Sequence, residues 1–282
     1  MKIPYSVFET AQKRYSTRSF SKKQVDSSII DKIIDFSKTI QPLTDNTESI
    51  RIECIDKKTN EAGEKLGTYG IIKNASLFLG VAAKKQPEIQ PSVEVNLGYQ
   101  FEQLILYITS LGLGTCWLGG TFDKEAFAKV MKVKDDEIFP IISPVGYPAD
   151  KKSIVEKIMR SKIKADNRLP WSEIFFQNDF SHPLTKIEAK EWSDVLETTR
   201  IAPSAVNKQP WRVVKTDDNK FHFYENHSLQ FSEVDLQKID VGIALAHFQL
   251  KAKEEGFDGK FEYSPPKIPL SDNTEYIISW IQ

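Results

Sequence analysis

Arg14, Ser16 and Arg18 fall within the five residues RYSTR and place two guanidinium forks and a hydroxyl on one short stretch. Arg meets phosphate oxygens in bidentate geometry and keeps its charge, so the stretch, with Tyr15 inside it and Lys13 beside it, has the makings of an anion clamp. Spacing alone also describes a solvated basic turn, and favours it. A second run, APSAVNKQPW from Ala202 to Trp211, packs two prolines, a hydroxyl and two amides into a stiff loop. Such a loop orients a planar heterocycle by its polar edge, or is an ordinary turn with local Asx and Ser hydrogen bonds. In the third run, GLGTCWLGGT from Gly112 to Thr121, the first glycines end a helix. The pair Gly119-Gly120 would let backbone amides approach a ligand and stabilise negative charge on a reduced ring. Cys116 has no neighbouring His in sequence and reads as buried packing, not as a nucleophile.

The elements that must position these runs follow from periodicity. Three- and four-residue apolar steps predict helices over Ser6 to Arg14, Ser27 to Lys38 and Glu94 to Leu111, with a further helix in FDKEAFAKVM. Alternation over Ser49 to Asp56 and apolar runs over Ala75 to Ala83 and Ile138 to Gly146 predict strands. Phe8, Phe20, Phe36, Phe101 and Trp192 read as core. The charged stretch Lys151 to Phe180, broken by Arg168-Leu169-Pro170, is the expected crossing segment between two halves.

The second half repeats the first. Gly98 and Gly242, Leu106 and Leu250, and Gly112 and Gly256 are each 144 residues apart, without a gap. Upstream, Pro42/Pro203, Asn46/Asn207 and Arg51/Arg212 share a separation of 161, so the second copy is shorter between the two blocks. A duplicated unit packs as a pseudo-twofold pair, an internal dimer. The copies differ where chemistry would reside, because RYSTR and Gly119-Gly120 occur only in the first half and the full PSAVNKQPW run only in the second. Complementary losses predict one composite site. The expected division is residues 1–165 and 166–282.

At 282 residues with 38 Lys+Arg against 39 Asp+Glu, the chain can bury a large core and has no basic field for a nucleic-acid backbone. Two cysteines make no disulfide framework, and the four histidines lack metal spacing, so no metal is expected. GTYG at Gly67 to Gly70 is neither a dinucleotide fingerprint nor a phosphate-binding P-loop. No spanning or signal segment is evident, and a cytoplasmic protein without membrane partners is the expectation.

Taken together, RYSTR, APSAVNKQPWR, GLGTCWLGG and VGYP followed by NRLP resemble the FMN-dependent nitroreductase family over nearly the whole chain. The split of motifs between halves resembles its single-chain, pseudo-dimeric branch, designated "putative TM nitroreductase". The resemblance implies an α+β fold of two pseudo-twofold-related α/β halves with one FMN per chain. It implies that Arg14, Tyr15, Ser16, Arg18 and Arg168 hold the phosphate and ribityl chain, and that Pro203, Ser204 and Asn207 lie against the isoalloxazine. Cys116, Trp117, Leu118, Gly119 and Gly120 match the loop near the reactive ring nitrogen, and Thr68 and Tyr69 stand roughly where the family has another flavin contact. Half one departs from the pattern in Gln41 to Ser49, where the Ser and Gln-Pro of the loop are lost. The implied reaction passes hydride from NAD(P)H through FMN to a nitroaromatic, quinone or similar small acceptor, with no catalytic side chain required. A non-catalytic FMN storage or sensor protein, or a flavin enzyme with dehalogenating or dehydrogenating chemistry, is the alternative. A monomer is expected, because the halves already bury their shared face.

Overall fold

Apolar residues at helical spacing turn inward in α1 (Val7–Lys13), where Val7, Thr10 and Ala11 are buried, and in α2 (Ser27–Ser37), which lays Ile33 on the core. The computed structural model describes residues 3–57, 63–216, 219–228 and 234–282. β1 (Arg51–Asp56), β2 (Leu77–Lys84), β3 (Gly114–Thr115) and β4 (Glu137–Gly146) form an antiparallel sheet in the order β1-β2-β4-β3. Between them in the chain come α3 (Val93–Ser110) and α4 (Lys124–Met131). β2 is buried from Leu77 to Ala83 and is flanked on both sides, which is why its sequence shows an apolar run and not alternation.

The stretch expected to cross between halves carries structure of its own. It contains α5 (Ile154–Lys162), α6 (Trp171–Ile174) and β5 (Phe175–Gln177). α7 (Lys186–Ala189), a 3-10 turn at Lys190–Trp192 and α8 (Ser193–Arg200) follow, then a second 3-10 turn at Ala205–Asn207. β6 (Trp211–Lys215), β7 (Phe221–Asn226), α9 (Leu236–Glu254), β8 (Lys260–Glu262) and β9 (Thr274–Ile281) complete the chain. The second sheet runs β5-β6-β7-β9-β8, and β5 joins it parallel to β6 with Phe175 opposite Val213. Without β5 its order repeats that of the first sheet, strand for strand. The second set is shorter in sequence because five residues, 216–220, separate β6 from β7 where twenty, 57–76, separate β1 from β2, and because nothing equivalent to α4 separates β8 from β9.

α3 and α9 pack against each other at the centre of the main core, which draws on the buried faces of both sheets. Their contact is reciprocal. A Cβ on Gly98 would overlap the Ile239 carbonyl, and one on Gly242 would overlap the Val95 carbonyl. Both helices end alike, on Gly112 at φ +80° and Gly256 at φ +83°, a backbone region that only glycine enters without strain. Phe20, Phe101 and Trp192 are buried as expected, whereas Phe8 and Phe36 are only partly covered. Among the described residues no helix is long and apolar enough to cross a membrane.

Candidate functional site

The loop after α1 is not a solvated turn. Ser16 bridges to Thr115, and the Thr17 N–H donates to the Thr115 carbonyl at 2.8 Å, which draws RYSTR against the end of the first sheet. Arg18 is thereby only 8% exposed. Its Nε, and Nη1 of Arg14, are buried without a hydrogen-bond partner among the described residues. Burial lowers the pKa of Arg14, and the nearby Arg160 and Arg18 push it the same way, while Glu102 opposes them. Arg168 falls to about 10 through burial, with Arg14 and Arg200 adding to the effect. Arginines thus crowd one another with donors to spare, an arrangement that an anion relieves.

Arg14, Tyr15, Ser16, Arg160, Arg168, Pro203, Ser204 and Asn207 line one cavity of about 350 Å³. Two cations lie over the Tyr15 ring, Lys152 Nζ 4.6 Å and the Arg160 guanidinium 5.7 Å from its centre. A smaller cavity of about 110 Å³ shares Ser16, Ile163, Pro203 and Ser204 with the first and adds Arg18, Trp117, Gly119 and Asp240. The wider end is cationic; the narrower one is mixed, with Ile141, Ile239 and Ile243 in its wall beside Arg18, Ser204 and Asp240. A flat ring carrying an anionic tail matches that division.

The loop from Ala202 to Trp211 is held in a strained form. Val206, Asn207 and Gln209 have φ of 43°, 60° and 50°, which for β-branched Val206 costs on the order of 1–3 kcal/mol. Its restraints come from the crossing segment and from α9. Arg168 Nη1 donates to Asn207 Oδ1 at 3.3 Å, and Asn207 Nδ2 donates to the carbonyls of Lys164 and Asn167 at 2.8 and 3.0 Å. Gln209 Oε1 accepts from the Leu169 N–H at 2.8 Å, and the Asp240 carboxyl accepts from the Ala205 N–H at 3.0 Å. Arg168 also donates to the Ile201 carbonyl from Nη2 at 3.1 Å, so it positions the loop as well as charging the cavity.

Of the residues singled out in sequence, Arg14, Tyr15, Ser16, Arg18, Trp117, Gly119, Arg168, Pro203, Ser204 and Asn207 come together on these walls. Cys116 and Leu118 do not. They face the core at 0% and 3% exposure, since alternate residues of an extended segment point to opposite sides. Trp117, between them, turns to the cavity and donates from Nε1 to Glu102 at 2.8 Å. Gly120 and Tyr69 are exposed and Thr68 is buried, and none of the three reaches either cavity. At Gly119 the reason for glycine is packing, because a Cβ there would press on Ile141 and Leu236 side chains at 3.2 Å. Sequence reading missed Arg160 and Asp240, which lie in helices and acquire their roles only through packing.

The histidines lie off the cavity walls. His247 and Glu102 are fully buried partners, Nε2 to Oε1 at 3.0 Å, and His247 Nδ1 lies 3.0 Å from the Thr198 carbonyl. Since that carbonyl can only accept, Nδ1 donates to it, and Nε2 faces the Glu102 carboxyl. Among the described residues Glu225, His227 and Asp235 bring possible ligand atoms within 4.8 Å of one another, beyond the walls of both cavities.

Residues 6–252 match a family model described as "Putative TM nitroreductase". Among solved structures, one described as a "putative nitroreductase" from Thermotoga maritima is 20% identical with a TM-score of 0.61, covering 100% of this chain and 95% of its own. A nitroreductase family protein from Clostridium difficile is 19% identical with a TM-score of 0.44, covering 61% of this chain and 96% of its own. An FMN-dependent nitroreductase from Clostridium difficile is 21% identical with a TM-score of 0.40, covering 51% and 88%. No curated protein matches the chain.

Proposed function

The chain belongs to the "Putative TM nitroreductase" family, and from that premise we propose that it is an FMN-dependent NAD(P)H oxidoreductase with one flavin site per chain. The observation that carries this reading is the pair of buried, unpartnered guanidinium atoms, Arg14 Nη1 and Arg18 Nε, on residues that wall the joined cavities. Arg14, Ser16 and Arg168 would hold the phosphate, and Arg18 the polar flank of the ribityl and ring. Pro203, Ser204 and Asn207 would support the ring on one side, with Trp117 and Gly119 on the other. When bound, FMN supplies two-electron hydride transfer between a nicotinamide and a small acceptor such as a quinone or nitroaromatic. The protein's part is to fix the ring, neutralise the phosphate and leave one approach open.

A single site follows from the asymmetry of the repeat. The cationic residues come from the first half and the crossing segment, and the strained loop comes from the second half. Residues 1–165 and 166–282 would then be two copies of one unit packed across α3 and α9, as a monomer with an internal interface. Titrating apo-protein with FMN tests the assignment. Arg14→Ala combined with Arg18→Ala is expected to weaken binding at least about 100-fold, since each charge-assisted hydrogen bond contributes about 1.5–3 kcal/mol. An unchanged affinity would remove the phosphate assignment.

A further inference from the structure

The narrower cavity has one carboxyl group in its wall, Asp240, on the second turn of α9. It is 4% exposed. Both of its oxygens lie 3.0 Å from a single donor, the Ala205 N–H, which cannot satisfy the acceptor positions of a carboxylate. The charged groups that bear on it are Asp235, which caps its helix, and Glu225 on β7, while Arg18 lines the same cavity. Burial, with the two acidic neighbours adding to it, favours the neutral acid over the anion despite the Ala205 bond.

The repeat shows what this position needs structurally. The separation of 144 that pairs Gly98 with Gly242 also pairs Asn96 with Asp240. Asn96 Oδ1 accepts the Leu43 N–H at 3.0 Å, as Asp240 accepts the Ala205 N–H at the same distance. An amide oxygen therefore suffices to pin such a loop, which leads into β1 in the first sheet and into β6 in the second. The copy that faces the cavity has an acid where an amide would do.

We propose that Asp240 is the proton donor to the electron acceptor that docks at this cavity on the open face of the bound flavin. The inference rests on the oxidoreductase reading above, with NAD(P)H as the source of the hydride and a quinone as the acceptor. As the quinone takes the hydride and its electron pair, the Asp240 O–H bond breaks and a new O–H bond forms on the quinone oxygen. Solvent then returns a proton to the carboxylate.

Asp240→Asn is the informative variant, because Asn keeps the acceptor for Ala205 and loses the proton. The infrared spectrum of wild type minus Asp240→Asn is expected to contain the carbonyl band of a protonated carboxylic acid, measurable with or without flavin. In FMN-loaded protein, the ratio of quinone to ferricyanide turnover is expected to fall about 100-fold, because ferricyanide takes electrons without a proton. Absence of the band, or an unchanged ratio, overturns the proposal. Failure of NAD(P)H to reduce bound flavin in wild type would instead contradict the oxidoreductase reading, and the infrared band would still decide whether Asp240 holds a proton.

Discussion

Arg168 shows how one side chain joins charge to shape. Its guanidinium spans the Ile201 carbonyl and Asn207 Oδ1 while remaining in the wall of the cationic cavity. Arg168→Lys keeps the charge but loses the fork. It is expected to weaken FMN binding about tenfold, an effect of about 1.4 kcal/mol, measured by quenching of flavin fluorescence. Glu225 makes a prediction away from the cavity. It is fully buried, with His227 Nδ1 at 2.9 Å, and burial plus Asp235 raises its pKa to about 8. An acid whose folded pKa is raised contributes most below its ordinary range, and that contribution shrinks as pH climbs toward 8. Wild type should therefore lose stability relative to Glu225→Gln between pH 5 and pH 8, by at most about 1.4 kcal/mol per pH unit, in urea unfolding followed across pH. Parallel pH profiles would show that Glu225 stays ionised. Residue types made the clamp legible, since Arg14, Ser16 and Arg18 are adjacent in sequence and need only burial to become a site. Asp240 was illegible, because its cavity and its Ala205 partner come from packing between residues 35 apart.

Among elements, the crossing of α3 and α9 is the most sensitive to substitution. Each glycine lets the opposite helix's backbone reach it, so Gly98→Ala and Gly242→Ala should each destabilise the protein by about 1–3 kcal/mol. Thermal or urea unfolding of the variants tests this, and wild-type stability in both would mean that the helices can part without loss. The glycine spacing made the correspondence of the two segments legible, because Gly98 and Gly242 stand in register with the helix-ending Gly112 and Gly256, but not that the helices cross at those glycines. The crossing segment was not legible as structure. Three residues of β5 are too few for a periodic signal, and β5 exists because β6 offers an edge for it to pair with. The strained loop escaped for a related reason. Val206 has no preference for positive φ, and it is held there by Asp240, Arg168 and Ser204, whose Oγ accepts the Gln209 N–H at 2.8 Å.

At the scale of the molecule, two sheets of matching strand order enclose a pair of central helices, and the cavities draw walls from residues before and after the crossing segment. Periodicity made α1 to α4, β1, β2 and β4 readable and the resemblance implied the α+β architecture, whereas β3 and the elements after β4 were not readable that way, and the composite cavity required both halves of the chain to be seen together. If the shared face is already internal, light scattering should give the mass of one chain, 32.2 kDa; a mass of two chains would show that another surface associates. The most direct measurement is the visible spectrum of the protein after FMN addition and desalting, followed by anaerobic NADH and NADPH. Retention of about one FMN per chain, bleached by either nucleotide, is the expected result for a single composite site in an oxidoreductase. A colourless protein after desalting, or bound flavin that neither nucleotide bleaches, would contradict it.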